Sequence, residues 1–506
     1  MNLFDLPSTI PWLSLIWLSL IVPAVAIMFL RPDQLRAIRL VGTVFAFISL
    51  LLTVLVYAAY DYTSPQKLQF LEEVPWLPQV GINYLLAVDG ISLPLLVLNG
   101  IVIFTGALVS WNIEDRAREY WVLLLLLAAG VYGVFVSVDL FLLFVFYELA
   151  VLPMYLLIGI WGSTRKEYGA MKLTLYLMGG SALIILGMVA LYFGSSIRSF
   201  DMRLLAQVAL FPREFQVAFF APLFLGFAVL AGMFPFHTWS PTGHVAAPTA
   251  VSMLHAGVLM KLGAYGCLRV AMWILPEGAG AWLLPIAIAT LIGALYGATI
   301  AMVQRDFKFM IGYSSVSHMG LTLMGLAAAN AIGLTGAVLQ MFAHGVMTAL
   351  FFAVVGRMVY DRTHTRQFPE LGGLFQQMPF AAVVFIIAGL SSMGMPGLAG
   401  FWAELNILMG MWQRFPLVAV LAGLAIPITG GYILRAIYRV FFGELRDRRF
   451  LQLPKLTWQE YAAGGLLAAI LIVSGIYPAY LTEPISASVE PVAEALARTS
   501  ALGLSR

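Results

Sequence analysis

Ionisable side chains lie deep inside several long apolar runs of this sequence. One such group at the centre of a membrane helix costs about 2.5–3.5 kcal/mol on insertion scales, so it requires partners or water. Glu148, Lys261 and Glu404 are the deepest, and His318 and His344 lie in two further apolar runs. Burial favours the neutral form of acids, amines and imidazoles alike, which lets such groups exchange a proton. The sequence therefore predicts a proton relay inside a membrane.

Other ionisable residues in these runs have a second interpretation beside a role in the relay. Lys172 at the start of a run and Arg269 near the end of one can extend their charged groups to the interface. Three histidines can satisfy a helix end or a core hydrogen bond instead of carrying protons: His237, His244 and His255. Asp139 is interpreted as an interfacial helix cap. No histidine has HExxH spacing with a carboxylate, so no metal site is predicted.

Composition excludes a water-soluble protein. Of 506 residues, 61% are hydrophobic and 10% are charged, whereas soluble domains carry about 25% charged residues. A net charge of +3 gives no footprint for nucleic acid. The single cysteine, Cys267, excludes an internal disulfide, a CxxC redox pair and a cysteine-ligated iron–sulfur cluster. No nucleotide-binding GxGxxG or P-loop motif is present, and no cofactor is predicted.

About fourteen apolar runs are long enough to span a bilayer as helices. They lie near 8–30, 37–59, 91–111, 119–137, 139–161, 169–194, 216–235, 247–274, 281–303, 309–328, 331–359, 379–411, 416–441 and 459–481. The fold class is therefore an all-α polytopic membrane protein. The first run is interpreted as an uncleaved anchor, with cleavage after Ala26 as the alternative. The segment 60–90 is the one long polar loop, and 483–506 is a short polar end.

Basic residues predict the orientation of the chain. Arginine and lysine concentrate in the loops that follow the odd-numbered runs, such as Arg116, Arg165, Lys166, Arg305, Arg357 and Arg446. By the positive-inside rule these loops are cytoplasmic and both termini face outward. The stretch 195–215 carries arginines on the other side and is interpreted as an interfacial segment.

Two of the runs are interrupted by proline and glycine. The first contains FPFHTWSPTGHVAAP around Pro235, and the second contains SSMGMPGLAGFWAE around Pro396. Irregular backbone at membrane depth persists only inside protein or beside water. Interrupted helices at corresponding places in two halves point to a transport site, with two ordinary kinks as the alternative. The offset predicts two five-helix repeats, at 119–274 and 281–441, flanked by units at 1–118 and 442–506.

Several motifs carry a family resemblance over about residues 85–445. The runs FYELAVLPMYLLIGIWG, HTWSPTGHVAAPTAVSMLHAGVLMKLGAYG, QRDFKFMIGYSSVSHMG, LQMFAHGVMTALFF and MPGLAGFWAE resemble the antiporter-like subunits of respiratory complex I, of the subunit M type. Mrp-type cation/proton antiporter subunits resemble it more distantly. The resemblance implies a fourteen-helix fold with inverted repeats and discontinuous helices 7 and 12. It also implies a midplane proton relay coupled to quinone reduction elsewhere in an assembly.

The same resemblance assigns roles and surroundings. The helix-5 glutamate, the helix-8 lysine, the histidines of helices 10 and 11 and the subunit M glutamate of helix 12 fall on Glu148, Lys261, His318, His344 and Glu404. Implied partners are other membrane-arm subunits, including neighbouring antiporter-like subunits. The implied location is a bacterial plasma membrane, with a thylakoid or other energy-converting membrane as the alternative.

Three positions depart from the family pattern. Leu230 stands where members carry a helix-7 lysine paired with the helix-5 glutamate, and Gly243 replaces an aspartate. His255 is more typical of the longer antiporter-like subunit. Without the lysine, Glu148 loses its partner unless another cation replaces it, and Lys172 is the candidate.

Three functions remain open from the sequence. The chain is interpreted first as a proton-translocating subunit of a complex I-type quinone oxidoreductase, without a redox centre of its own. The second interpretation is an Mrp-type cation/proton antiporter subunit. The third is a divergent, non-pumping paralogue of subunit M that transmits conformational change.

Overall fold

The computed structural model of the chain describes residues 6–7 and 9–503. Residue 8, where the first predicted run begins, and the ends of the two predicted flanking units, 1–5 and 504–506, lie outside the described residues. The helices of the first half are α1 Trp12–Met28, α2 Leu35–Ala59, α3 Ser92–Val109, α4 Ala117–Val136, α5 Leu140–Trp161, α6 Lys166–Gly194, α7 Met202–Gln207, α8 Arg213–Ala231, α9 Trp239–Ala246, α10 Thr249–Leu254 and α11 Met260–Gly266.

The second half contains α12 Pro276–Val303, α13 Phe307–Ala327, α14 Ala331–Phe352, α15 Asp361–Thr363, α16 Pro379–Ser392, α17 Ala399–Arg414, α18 Pro416–Gly423, α19 Ala425–Phe441, α20 Trp458–Ile476 and α21 Ala479–Gly503. Short 3-10 turns occupy Pro78–Val80, Ser110–Asn112 and Arg448–Gln452. π-helical segments occupy His255–Leu259, Cys267–Met272 and Ala353–Tyr360. Two strands, β1 Gln69–Leu77 and β2 Ile82–Val88, pair antiparallel.

The described residues form 11 helices that are long and apolar enough to cross a membrane. Two shorter apolar helices, α1 and α16, add to these. Helix α13 corresponds to the remaining predicted run and carries His318, and α17 forms the second part of the run at 379–411 and carries Glu404. The prediction of a polytopic helical membrane protein is confirmed.

Burial separates inner helices from lipid-facing ones. The spans Thr249–Met272 and Ala331–Thr363 are 100% buried, whereas the span formed by α2 is only 33% buried. The inner spans carry Lys261 and His344, so these two ionisable residues lie at the centre of the bundle. The apolar surroundings of these two inner spans are other helices, whereas the outer helices face lipid.

The segment 60–90 is not a plain polar loop, and the all-α prediction is wrong at this point. It folds into the β1–β2 hairpin, which turns at Gly81 with a φ of 68°. The apolar residues of β2, including Leu85 and Leu86, are buried against the helix ends, and the backbone N–H of Val138 donates to Leu85 O over 3.0 Å. The hairpin could not be predicted from an alternation of polar and apolar residues, because the adjacent Glu72 and Glu73 interrupt that alternation in β1.

The polar end predicted at 483–506 is also different in the structure. It is helical from Ala479 as α21, with Pro484 and Pro491 inside the helix. Its buried residues recur at helical spacing: Leu481, Ile485, Val489, Val492 and Leu496. Ser488 Oγ accepts from Gly90 N at 2.9 Å, so α21 packs across the start of α3. Neither proline ends the helix, because the apolar stripe packs against the rest of the fold.

Loop contacts separate the two faces of the bundle as the charge pattern predicts. On one face, Arg366 Nε contacts Asp306 Oδ2 at 2.9 Å, joining two odd-numbered exits. On the opposite face, Asp139 caps α5 as predicted and accepts from Asn83 N at 3.0 Å. The stretch 195–215 lies on that opposite face, where Leu140 N donates to Phe200 O at 2.8 Å. The cytoplasmic assignment of the first face stays a prediction.

Arg269 does not extend to the interface. Its side chain is buried and forms an ion pair with the buried Asp89 at the end of β2. Arg269 Nε also donates to Tyr265 Oη at 3.3 Å, and the guanidinium lies 5.1 Å from the Trp273 ring centroid. The two charges compensate each other, so burial is tolerated and the hairpin is tied to the central helix.

Asp89→Asn is expected to destabilise the chain by about 3–5 kcal/mol, because it leaves the Arg269 charge buried without its counter-ion. Asparagine retains the oxygen that accepts from Ile91 N and Ser92 N, so the substitution preserves the helix cap and removes only the charge. The measurement is the thermal denaturation midpoint of the subunit in the purified assembly. As a control, Glu114→Gln removes a pair whose glutamate is 75% exposed, and it should cost less than about 1 kcal/mol. Equal midpoints for the two variants would contradict the prediction.

Candidate functional site

Both predicted helix interruptions are present. The break between α8 and α9 begins at Gly232, whose φ is 76°, in the left-handed region that suits glycine. The break between α16 and α17 contains Gly394 with φ 66° and Gly397 with φ 91°. A methyl group at Gly394 would lie 2.8 Å from Glu404 Oε2, so glycine also makes room for that carboxylate.

A π-helical segment precedes Lys261 in the central helix. Between α10 and α11 the chain widens into a π-turn at His255–Leu259, which frees backbone carbonyls from regular pairing. Lys261 Nζ donates to one of these carbonyls, Ala256 O. The local backbone therefore provides a partner for the fully buried Lys261 Nζ, which has no carboxylate in contact among the described residues.

Four predicted relay residues form one connected cluster, called here the Lys–His–His–Glu cluster: Lys261, His344, His318 and Glu404. Lys261 Nζ lies 2.7 Å from His344 Nδ1. The rings of His344 and His318 are 5.3 Å apart between centroids. His318 Nδ1 lies 3.3 Å from Glu404 Oε1. All four are at most 5% exposed, and they come from α11, α14, α13 and α17, so packing of the two halves assembles them.

His318 has two alternative partners at one nitrogen. Its Nδ1 faces both Glu404 Oε1 at 3.3 Å and Gln340 Nε2 at 3.2 Å, while Nε2 lies 2.9 Å from Ser392 Oγ. A proton on Nδ1 suits the carboxylate, and a lone pair on Nδ1 suits the amide donor. The geometry therefore accommodates both the charged and the neutral ring, which a proton carrier requires.

Glu148 lies apart from the cluster. Its Oε1 accepts from Ser181 Oγ at 2.6 Å, which places it at the contact between α5 and α6. No hydrogen bond or ion pair among the described residues joins it to Lys261. Leu230 is fully buried and apolar, so α8 offers no charge at this level.

Lys172 does not replace the missing helix-7 lysine. It precedes Ser181 by nine residues on α6, which corresponds to about 13 Å along the axis and to the opposite face of the helix. Its Nζ lies 5.8 Å from the Tyr168 ring centroid instead. Glu148 and Lys172 therefore cannot form the pair that the sequence allowed.

The remaining predicted histidines lie around the first break. His237 is buried against Phe234 and Tyr296, with ring centroids 5.5 and 5.1 Å away. His255 packs against His244 with centroids 4.1 Å apart and against Trp239 at 5.1 Å. Neither nitrogen of His255 has a hydrogen-bond partner among the described residues.

Sequence reasoning missed several members of the site. His244 was interpreted as a helix-end residue, and Lys308 lies just before the predicted run at 309–328, although both are buried. Gln340 precedes His344 by one helical turn on the same face, and Ser392 borders the second break. The i, i+4 spacing of Gln340 and His344 could have revealed the first of these.

These features define a multi-pass membrane protein with two interrupted helices and a buried row of ionisable groups. A family profile described as NADH:quinone oxidoreductase/Mrp antiporter, TM, matches residues 137–429. NADH-quinone oxidoreductase subunit M of Rhodobacter capsulatus is 36% identical over 90% of this chain and 91% of its own length. The chain belongs to the NADH:quinone oxidoreductase/Mrp antiporter family.

Two further comparisons agree with this assignment. NAD(P)H-quinone oxidoreductase chain 4 2 of Thermosynechococcus vestitus is 35% identical over 96% of this chain and 92% of its own length. A chain of respiratory complex I from Thermus thermophilus superposes with a TM-score of 0.87 at 27% identity, covering 96% of this chain and 99% of that one. The chain is therefore similar in sequence and fold to antiporter-like subunits of quinone oxidoreductases.

Proposed function

We propose that the chain is a proton-translocating membrane-arm subunit of a complex I-type NADH, or other donor, to quinone oxidoreductase. The observation that carries the proposal is the Lys–His–His–Glu cluster, a row of buried titratable groups at the contact between the two halves. Subunit M of Rhodobacter capsulatus and the Thermus thermophilus complex support the type of assembly. Electron transfer takes place on other subunits, and this chain moves protons in response.

The contacts suggest how a proton moves. A proton on Lys261 passes to His344 Nδ1 across 2.7 Å. His344 Nε2 has no partner among the described residues and can release a proton on the other side of the ring. Transfer across the 5.3 Å between ring centroids needs ring rotation or a bridging water. His318 then donates from Nδ1 to Glu404, and the deprotonated Nδ1 accepts from Gln340 Nε2 once the ring is neutral.

The finer architecture is part of the same proposal. The two interruptions fall in the seventh and twelfth membrane segments when α1 to α20 are paired with the predicted runs. We propose fourteen transmembrane helices with inverted repeats at 119–274 and 281–441, between flanking units 1–118 and 442–506. The proposed partners are neighbouring antiporter-like and other membrane-arm subunits, and the proposed location is a bacterial plasma membrane.

Glu148→Gln is expected to lower proton translocation about threefold and not to abolish it. Glu148 has no contact with the Lys–His–His–Glu cluster among the described residues, so the substitution removes one charge from the helix bundle and leaves the cluster intact. The measurement is acidification of proteoliposomes containing the whole complex, per electron delivered to quinone. Translocation equal to wild type would remove Glu148 from the relay, and a complete loss would place it in the only path.

An Mrp-type antiporter is the second candidate, because the matching family includes both kinds of protein. The two functions differ in what drives the proton. In proteoliposomes of the purified assembly, a quinone oxidoreductase acidifies the lumen only when electrons flow to quinone. An antiporter moves protons when a sodium gradient is imposed without any electron donor. Sodium-driven exchange without electron transfer would overturn the proposed function.

A further inference from the structure

A groove on the outside of the helix bundle lies between the C-terminal ends of α1 and α5, over the start of α4. Helices α1 and α5 both pack against α4. Near their N-terminal ends they also meet each other, with the ring centroids of Trp17 and Phe146 5.3 Å apart. Toward the basic loops the two helices separate, and the space between them is a cavity of about 410 Å³. This volume lies within the range of small-molecule sites, about 300–1,000 Å³.

The deeper part of the groove is apolar. Its floor and walls consist of side chains from all three helices: Met28, Val122, Leu123, Leu156 and Ile160. Met28 and Leu156 are 58% and 36% exposed, so the groove is open along its length to the surroundings of the bundle. In a membrane-spanning chain those surroundings are lipid, and these walls suit an acyl chain.

The rim of the groove is basic and aromatic. Arg116 and Arg118 flank the start of α4, and Arg116 forms no ion pair among the described residues. The Arg116 guanidinium lies 5.7 Å from the Trp161 ring centroid. Trp161 Nε1 donates to Asp115 O at 2.7 Å, which fixes the ring at the end of α5. Tryptophan is enriched at the membrane–water interface, so the rim lies at the depth of lipid headgroups.

Arg118 is only loosely held. Its Nη2 lies 3.4 Å from Glu119 Oε1, and its Nη1 lies 3.5 Å from Leu30 O. The side chains of Arg118 and Glu119 are 33% and 39% exposed, and ion pairs exposed to this extent contribute little. A phosphate can therefore take Arg118 from Glu119 at small cost.

The charges of the lining select one kind of headgroup. Two arginines and one glutamate leave the lining with one net positive charge, which a singly charged phosphodiester neutralises. A zwitterionic headgroup would leave that charge uncompensated. Arg116 precedes Val122 by six residues, which is about 9 Å along a helix axis. A phosphate at the rim therefore places the first acyl carbons beside the apolar walls.

We propose that this groove binds an anionic phospholipid from the leaflet on the side of the basic loops. Its phosphate contacts Arg116 and Arg118, and one acyl chain runs along α4 between Met28 and Leu156. Basic pockets between membrane helices bind such headgroups, whereas a free phosphate would use the rim alone. The site is separate from the Lys–His–His–Glu cluster and does not depend on the proposed function.

The first test uses phosphatidylglycerol with a photoreactive group in its acyl chain, added to phosphatidylcholine vesicles that contain the whole complex. After illumination, labelled peptides should come from the parts of α4 and α5 that line the groove. Unlabelled phosphatidylglycerol should lower this labelling at least about tenfold. Phosphatidylethanolamine with the same chains, or inorganic phosphate, should lower it less than about twofold. Equal competition by either of these would overturn the proposal of an anionic phospholipid.

The second test removes the charges of the rim. Arg116→Gln combined with Arg118→Gln should lower labelling of the groove about tenfold, because each arginine near the membrane surface contributes to the attraction. Arg446→Gln combined with Arg448→Gln is the matched control, since both arginines are exposed in another loop on the same face and neither lines the groove. The control should be labelled like wild type. Wild-type labelling of the groove without Arg116 and Arg118 would overturn the proposal.

A third variant tests the apolar wall without changing a charge. Leu156→Trp adds an indole to the groove and should lower labelling about fivefold, because the acyl chain loses its space. Leu152→Trp, one helical turn earlier, is the control, because Leu152 is 66% exposed and does not line the groove. Equal labelling of the two variants would show that the lipid does not occupy this groove.

Discussion

Replacing Lys261 by methionine is expected to reduce proton translocation by the whole complex at least about tenfold. Methionine has nearly the same length and fits a fully buried position, but it carries no proton. The variant removes the 2.7 Å contact to His344 and the donor to Ala256 O, so the Lys–His–His–Glu cluster loses its first group. The measurement is lumen acidification per electron delivered to quinone.

Lys172→Met is the matched control for this experiment. Both lysines lie on membrane helices, but Lys172 packs beside Tyr168 and has no contact with the cluster. We expect it to retain translocation within about twofold of wild type. Tenfold losses in both variants would indicate a general requirement for positive charge in the bundle. Unchanged translocation in Lys261→Met would remove the centre of the proposed path.

The fold was predictable where the signal is local. Apolar runs, the helix breaks and the alternation of basic loops are all readable within short windows, because bilayer thickness and backbone hydrogen bonding constrain them directly. The β1–β2 hairpin and α21 were missed because their stability depends on packing against distant helices. Ser488 Oγ, for example, is bonded to Gly90 N, 398 residues earlier in the chain.

The site was also predictable in part. Ionisable residues in apolar runs could be identified from the sequence because they are costly in lipid. In the structure, Lys261, His318, His344 and Glu404 lie close together. Their order could not be derived, because it depends on how α11, α13, α14 and α17 pack. The Asp89–Arg269 pair shows the same limit. Arg269 alone had an interfacial explanation, Asp89 lies in the segment that was interpreted as a polar loop, and only the fold brings the two charges together across 180 positions.

The structure indicates what a leucine in place of a lysine changes at position 230. A lysine there would pair with Glu148 and compete with Lys261 for protons by charge repulsion. With leucine, α8 contributes no charge at this level. His244 and His255, whose ring centroids lie 4.1 Å apart, are buried titratable groups in α9 and at the start of the π-helical segment that precedes Lys261.

Glu404→Gln is expected to reduce translocation at least about tenfold while leaving the cluster assembled. Its amide oxygen can still accept from His318 Nδ1, at the position where Glu404 Oε1 lies 3.3 Å away, but an amide cannot take up the proton. Glu404→Asp should show an intermediate rate, because the shorter side chain lengthens that contact and keeps the acid. The measurement is again acidification per electron, with quinone reduction followed separately.

Glu490→Gln, an exposed carboxylate on α21, is the control and should pump like wild type. Gly394→Ala supplies an independent variant, since its methyl group would lie 2.8 Å from Glu404 Oε2 and displace the carboxylate without changing its chemistry. Loss of proton translocation in both Glu404→Gln and Gly394→Ala would show that translocation needs both the acid and its position. If Glu404→Gln pumped normally, the proton would have to leave His318 by Ser392, its other hydrogen-bond partner, and the carboxylate would serve only to hold the ring.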